Sequence, residues 1–179
     1  GEYLELREIA DKHGIPLIAD CAHSLGSKYR NRPIPEWADI STFSFYPTKG
    51  ITTGEGGAVS SQNKLYFQKS KEFARQGLIR DTNRFTIKGE GKWHQEIHNF
   101  GLNYRLPDIL CSLGQSQLKK LDYFKTYRKQ IFEKYNEILK DVGDVFYVFN
   151  EGEQILGAHT QFVVVFYHPV NTIDFGEVQ

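Results

Sequence analysis

Residues 42–57 read TFSFYPTKGITTGEGG. The stretch decides the fold because it sets one lysine, Lys49, between two segments of strand composition, 38–45 (ADISTFSF) and 56–61 (GGAVSS). Gly54, Gly56 and Gly57 crowd the turn that starts the second of them. Working outward, IPLIAD (15–20) is a short apolar run that ends in an acid, Asp20, and predicts a buried strand. Before it, Leu6, Ile9, Ala10 and His13 recur at i, i+3, i+4 and i+7 with Gly14 as the stop, which predicts a helix over 2–13. After it, Leu65, Lys69, Glu72 and Phe73 set a helical rhythm over 63–76 that Gly77 ends. The order helix, three strands, helix predicts an α/β layered domain.

Residues 77–103 show poor periodicity and predict one long loop, of the kind that usually carries function. Pro107 starts a helix. Apolar positions Leu121, Phe124, Ile131, Tyr135, Ile138 and Leu139 continue helical spacing from Leu113 to about residue 139, and Gly143 ends it. DVFYVF (144–149) and TQFVVVF (160–166) read as strands of a second, smaller domain. The expected division is 1–112 for the larger domain and 113–179 for a connecting helix and the start of the smaller one.

Composition narrows the classes. Lys+Arg and Asp+Glu are equal at 22 each among 179 residues, so no net field advertises nucleic acid or an anionic membrane. Hydrophobic residues make up 40%, with 13 Phe and 10 Tyr, enough to fill a core and to argue against disorder. The apolar run at 162–167 is too short to span a bilayer, and no basic segment followed by an apolar one marks secretion. Two isolated cysteines, Cys21 and Cys111, fit a reducing cytoplasm. The chain has no methionine and starts within a helical pattern, so it reads as an internal piece of a longer protein.

A lone loop lysine is ordinarily a solvated charge, and GEGG is no phosphate-loop signature because the lysine precedes the glycines. The combination carries more. Asp20 ends a strand of parallel type, where open α/β sheets place ligand groups. His23 follows it in DCAH, and Ser44 precedes Lys49 by five residues. An acid, an imidazole, a hydroxyl and an amine on one rim are what pyridoxal phosphate (PLP) needs, with the lysine on its aldehyde and the acid at its pyridinium nitrogen. Other features read as structure. Cys21 beside His23 lacks a second ligand pair for a metal. His94 and His98 are expected on a loop surface, Cys111 in the core, and Glu55 capping amides in its glycine turn. The stretch YFKTYRKQIFEKY (123–135) reads as a helix with one core face and one solvated face rather than a nucleic-acid surface.

The segments DCAHSLGSKYRNRPIPEWADISTFSFYPTKGITTGEGGAVSS (20–61) and KWHQEIHNFGLNYRLPDILCSLGQSQLKKLD (92–122) together resemble the DegT/DnrJ/EryC1/StrS family of PLP-dependent sugar aminotransferases. The resemblance covers nearly all of 1–140 and fades beyond. It is closest to the branch that aminates UDP-linked 4-keto-6-deoxy-N-acetylhexosamines on the way to pseudaminic acid, a preference carried by KWHQEIHNFGLNYRL (92–106). It implies the fold type I architecture of PLP-dependent transferases. It implies Lys49 as the Schiff-base lysine, Asp20 at the pyridine nitrogen, His23 packed on the cofactor near its phenolic oxygen, and Ser44 on its phosphate. Asn103, in LNYR, matches the asparagine that reaches the cofactor phosphate of the neighbouring subunit. Tyr46 stands where many relatives have histidine, and no role is carried over to Tyr104 or Arg105.

The implied reaction moves an amino group, with glutamate as the expected donor, to a nucleotide-linked 4-keto-6-deoxy sugar for bacterial surface glycans. The implied assembly is a cytoplasmic homodimer with shared sites, with no nucleic-acid or membrane partner. A lysine at position 49 separates the chain from family dehydratases, which carry histidine there. Two rivals remain: a non-catalytic PLP- or sugar-binding regulatory relative, and an α/β phosphate-binding module without PLP. The resemblance also places further cofactor-phosphate and ring contacts upstream of Gly1.

Overall fold

The computed structural model describes residues 2–140, 146–148, 155–159 and 161–166. Helix α1 (Tyr3–His13) forms where the periodicity put it, and Gly14 closes it in the left-handed region at φ 61°, a conformation glycine adopts without strain. Strand β1 (Ile18–Asp20) follows, then the hairpin β2 (Lys28–Tyr29) and β3 (Arg32–Pro33), turned by Arg30 and Asn31, both at positive φ. A 3-10 turn (Ile34–Trp37) leads into β4 (Ile40–Ser44), and β5 (Gly57–Ser60) lies beyond the lysine loop.

These strands form a three-stranded sheet in the order β1-β4-β5. β1 and β4 run parallel, with Ile18 opposite Ile40 and Asp20 opposite Thr42, whereas β5 returns antiparallel with Gly57 opposite Ser44. Gly57 is required by close approach, since a Cβ there would sit 2.5 Å from the Phe43 carbonyl oxygen. Ala19, Cys21 and Ile34 form the buried centre, with Tyr3, Ala38 and Phe43 packed against it. Tyr29 is buried beside the rings of Tyr3 and Trp37, and its hydroxyl donates to Glu2 at 2.8 Å.

Helix α2 (Lys64–Phe73) begins at Asn63, whose side chain accepts from the amides of Leu65 and Tyr66. Its end is marked by Gln76 and Gly77, both at positive φ. The 77–103 segment is more ordered than its sequence predicts. β6 (Leu78–Ile79) pairs antiparallel with β7 (Glu96–Ile97), and Ile79 is buried. Strands of two residues are too short to leave a readable alternation.

The continuous helix expected over 113–139 is two helices, α3 (Asp108–Leu118) and α4 (Leu121–Leu139). The break sits at Lys120, whose amide bonds back three residues to Gln117 and whose backbone leaves the helical region at φ −100°, ψ 0°. Cys111 is exposed rather than in the core, because the apolar face of α3 (Ile109, Leu113, Leu118) is uncovered. On α4, Phe132 and Tyr135 pack against Phe162, while Tyr123 and Tyr127 stack on each other in solvent. This is the two-faced helix expected of 123–135.

Of the two expected C-terminal strands, β8 (Phe146–Val148) and β10 (Val164–Phe166) pair antiparallel. Between them, β9 (Ile155–Leu156) adds to β2, a pairing across the chain that local pattern could not announce. The helix stop expected at Gly143 lies outside the described residues.

Arg7 on α1 and Asp39 before β4 tie helix to sheet. Asp39 accepts from the Arg7 guanidinium and from the Leu17 amide, each at 2.7 Å. The guanidinium first, and then the amide, hold this carboxyl below its ordinary range. A depressed carboxyl contributes stability above its unfolded pKa and loses it as pH falls through the folded one. In the intact protein Asp39→Asn is therefore expected to cost about 1 kcal/mol at neutral pH, the pair being partly solvated. The gap to wild type should close on acidification below about pH 4. Equal urea midpoints at neutral pH would remove this tie from the fold's energetics.

Candidate active site

Parallel pairing puts the C-terminal ends of β1 and β4 on one rim, so Asp20 and Ser44 emerge on the same side of the sheet. Asp20 turns the chain: its Oδ1 accepts from the Ala22 amide at 2.9 Å, which starts the turn that carries His23. Ser44 Oγ accepts from the Tyr46 amide at 3.4 Å where the lysine loop leaves β4.

The lysine loop is a folded object rather than a solvated excursion. Phe45 organises it: its amide donates to the Gly56 carbonyl at 2.9 Å, and its carbonyl accepts from the Thr53 amide at 2.9 Å and the Thr52 hydroxyl at 3.1 Å. Ile51 and Thr53 are buried. The glycine turn is closed by Thr52 Oγ1 on the Gly54 amide and by Thr53 Oγ1 on the Glu55 carbonyl. Hydroxyls thus hold the turn expected to be capped by the Glu55 carboxylate. The Lys49 amide donates to the Tyr46 carbonyl at 2.9 Å, and the loop's arc brings Lys49 Nζ to 2.6 Å from His23 Nε2.

Four of the five residues singled out in the sequence therefore lie on one rim, with Lys49 and His23 in direct contact. Asn103 stands apart. It bridges to Arg75 beyond α2, is exposed, and accepts from Arg105 Nε at 2.8 Å. A cavity of about 940 Å³ lies on the α2 side of β5, lined by Phe43, Val59, Phe67, Phe73, Tyr104 and Leu110 among others. None of Asp20, His23, Ser44 and Lys49 lines it.

Sequence reading missed two features. Arg128 on α4 donates to the carbonyls of Gly50 and Lys49, a contact with no local signal. Glu96 is the other. It accepts from the amides of Thr86 at 2.7 Å and Ile87 at 2.9 Å, and from His94 at 3.1 Å and His98 at 2.5 Å. His94 and His98, expected on a loop surface, both reach this carboxylate, with His94 half-buried and His98 exposed. At two residues, β7 is too short for an alternation to announce this cluster. Nearby, Arg84 pairs with the buried Glu72 carboxylate, which also accepts from Gln68 at 2.6 Å. No group of three metal-ligating side chains suited to an ion occurs among the described residues.

The sequence profile of the DegT/DnrJ/EryC1/StrS aminotransferase family matches residues 2–173. The chain is 41% identical over 133 residues to the UDP-4-amino-4,6-dideoxy-N-acetyl-beta-L-altrosamine transaminase of Campylobacter jejuni, covering 74% of this chain and 33% of that protein. It is 32% identical over 160 residues to the GDP-perosamine synthase of Escherichia coli O157:H7, covering 89% of this chain and 40% of the other. Its fold superposes on Helicobacter pylori PseC, an aminotransferase involved in the biosynthesis of pseudoaminic acid. The TM-score is 0.83 at 28% identity, over 93% of this chain and 42% of that one. The chain thus spans roughly a third to two fifths of the length of these relatives.

The four donors on Glu96, His98 foremost, hold its carboxyl far below the ordinary range. The network should then be intact above the unfolded carboxyl pKa and loosen as pH falls through the folded one. Glu96→Gln is expected to speed amide exchange at Thr86 and Ile87 at neutral pH, leaving β1 and β4 unaffected. Exchange at those two amides that does not respond to Glu96→Gln would show the carboxylate to be incidental.

Proposed function

This chain belongs to the DegT/DnrJ/EryC1/StrS aminotransferase family, and on that premise we propose that it carries the lysine side of a PLP-dependent sugar aminotransferase site. One observation carries the reading: Lys49 Nζ lies 2.6 Å from His23 on the rim where Asp20 and Ser44 end adjacent parallel strands. The donor set fits the cofactor. Lys49 offers the amine that binds its aldehyde, Asp20 a carboxylate for the pyridinium nitrogen, and Ser44 a hydroxyl for the phosphate. When bound, PLP supplies the electrophilic carbon and the electron-withdrawing ring.

The chain's own groups do the rest. Lys49 Nζ would serve as the base that takes the proton from the donor's Cα. His23 would keep the amine oriented through the 2.6 Å contact. The Asp20 carboxylate would favour the protonated form of the ring nitrogen. A rigid loop with Ile51 and Thr53 buried holds these distances without reorganisation.

The substrate we infer is a UDP-linked 4-keto-6-deoxy sugar, with glutamate as amino donor. Identity of 41% to the UDP-sugar transaminase against 32% to the GDP-sugar enzyme supports UDP over GDP. The assembly we infer is a two-fold dimer in which Asn103 serves the partner's site. Supporting it, Trp93, Phe100, Tyr104 and Ile109 expose 75%, 83%, 68% and 77% of their surface, apolar groups that a partner would cover. No helix among the described residues is long and apolar enough to cross a membrane. The cytoplasm is the compartment we assign.

Borohydride reduction of the intact protein with PLP is expected to fix the cofactor on the peptide that contains residue 49, read by mass spectrometry. Lys49→Ala should abolish that adduct. Label on another lysine in wild type would refute the assignment.

Lys49→Ala and Asn103→Ala should each inactivate the intact enzyme. Mixing them should regain partial activity, because a heterodimer has one site with both groups. Assayed with UDP- and GDP-linked keto-sugars, the wild type should favour the former. No recovery on mixing would return Asn103 to its own subunit, and a GDP preference would overturn the substrate.

A further inference from the structure

One face of α4 touches both loops that carry the basic pair. Arg128 donates from one guanidinium nitrogen to the Gly50 carbonyl at 3.1 Å and from the other to the Lys49 carbonyl at 3.3 Å. One turn earlier, Lys125 lies over Gly26: a Cβ there would meet Lys125 Cδ at 2.9 Å. Residues at i and i+3 share a helix face. That face therefore bears on the His23 turn through Lys125 and on the Lys49 loop through Arg128.

The contact with Lys49 is to its own main chain. Its N–H already donates to the Tyr46 carbonyl, and Arg128 takes its C=O, so both polar groups of the lysine backbone are held. Such a residue has its Cα–Cβ direction fixed, and only the side-chain torsions are left to place Nζ. The guanidinium is suited to this because its planar fork spans two successive carbonyls, which a single ammonium cannot do. It is braced in turn by the Phe124 ring, whose centroid lies 5.8 Å from Arg128 Cζ. The Lys49 and Arg128 segments are 79 positions apart in sequence, so the orientation of the lysine is tied to where α4 sits.

The geometry points to Arg128 as a positioning residue for Lys49: it clamps the lysine's backbone from α4 and thereby sets the reach of the amine toward the cofactor and His23. The inference rests on Lys49 being the lysine that carries PLP. Arg128 acts through the lysine's main chain, its two bonds going to the Gly50 and Lys49 carbonyls and not to the amine or the rim carboxylate.

The test uses the intact protein, stripped of cofactor, then titrated with PLP and reduced with borohydride, with label on the residue-49 peptide counted by mass spectrometry. Arg128→Ala should need about tenfold more PLP for half-maximal trapping, the scale of one lost charge-assisted hydrogen bond. Arg128→Lys should fall between, and added guanidinium ion should move Arg128→Ala back toward wild type. Lys129→Ala, which breaks only the exposed pair with Glu133 at 3.7 Å, should trap like wild type. A second arm needs no cofactor: competitive acetylation of the stripped protein should show Lys49 reactivity altered severalfold in Arg128→Ala, with other lysines unchanged. If wild type traps no PLP at Lys49 but this arm still responds, the functional reading falls and the positioning role stands. Unaltered Lys49 acetylation, or a trapping shift that merely follows a lowered Tm and ignores guanidinium, overturns the inference.

Discussion

Parallel pairing of β1 with β4 is the constraint on which the rest of the site depends. Two parallel strands present their C-terminal ends at the same edge, and here those ends carry Asp20 and Ser44. Antiparallel pairing would have sent them to opposite edges, and no loop of ordinary length could have reunited them. Side chains and loops alike are built on that edge. Asp20 opens the turn that carries His23, and Ser44 opens the loop that carries Lys49.

The lysine loop then answers a second demand, that an amine on a flexible stem be delivered to a defined point. Ordering a lysine side chain costs entropy, and the chain reduces that cost by making the backbone beneath it rigid. Phe45 fastens the loop at both ends, Thr52 and Thr53 close its glycine turn, and Gly114 lets α3 lie against Thr53. A Cβ at Gly114 would come within 2.9 Å of Thr53 Cγ2, so this small residue is set by packing rather than by backbone conformation. Arg128 completes the arrangement from α4.

The 77–103 segment solves a different problem, keeping shape with few buried apolar residues. Two carboxylates do most of that work. Glu72 holds Arg84 and Gln68, and Glu96 gathers two backbone amides and two imidazoles. Aromatic side chains are thereby left on the outside, Trp93 and Phe100 most of all. A segment stiffened by polar contacts and apolar on its surface is suited to meeting another surface without refolding.

By itself the sequence determined the elements whose signal is local. Periodicity and a glycine stop gave α1, a helical rhythm ended by Gly77 gave α2, and the apolar runs around Lys49 gave β4 and β5. It also determined which residues to watch, because Asp20, His23, Ser44 and Lys49 match a family motif in order. Where short range failed, the reason was physical. β6 and β7 are two residues each, too short for a period to register, and the break at Lys120 carries no proline or glycine to mark it. Only the tertiary structure decided what depends on distant segments meeting. The pairing of β9 with β2, the four donors on Glu96, the 2.6 Å approach of Lys49 to His23 and the clamp of Arg128 on the lysine's own carbonyl all belong there. Each joins groups far enough apart in the chain, or oriented by packing alone, that residue type and spacing hold no record of the encounter.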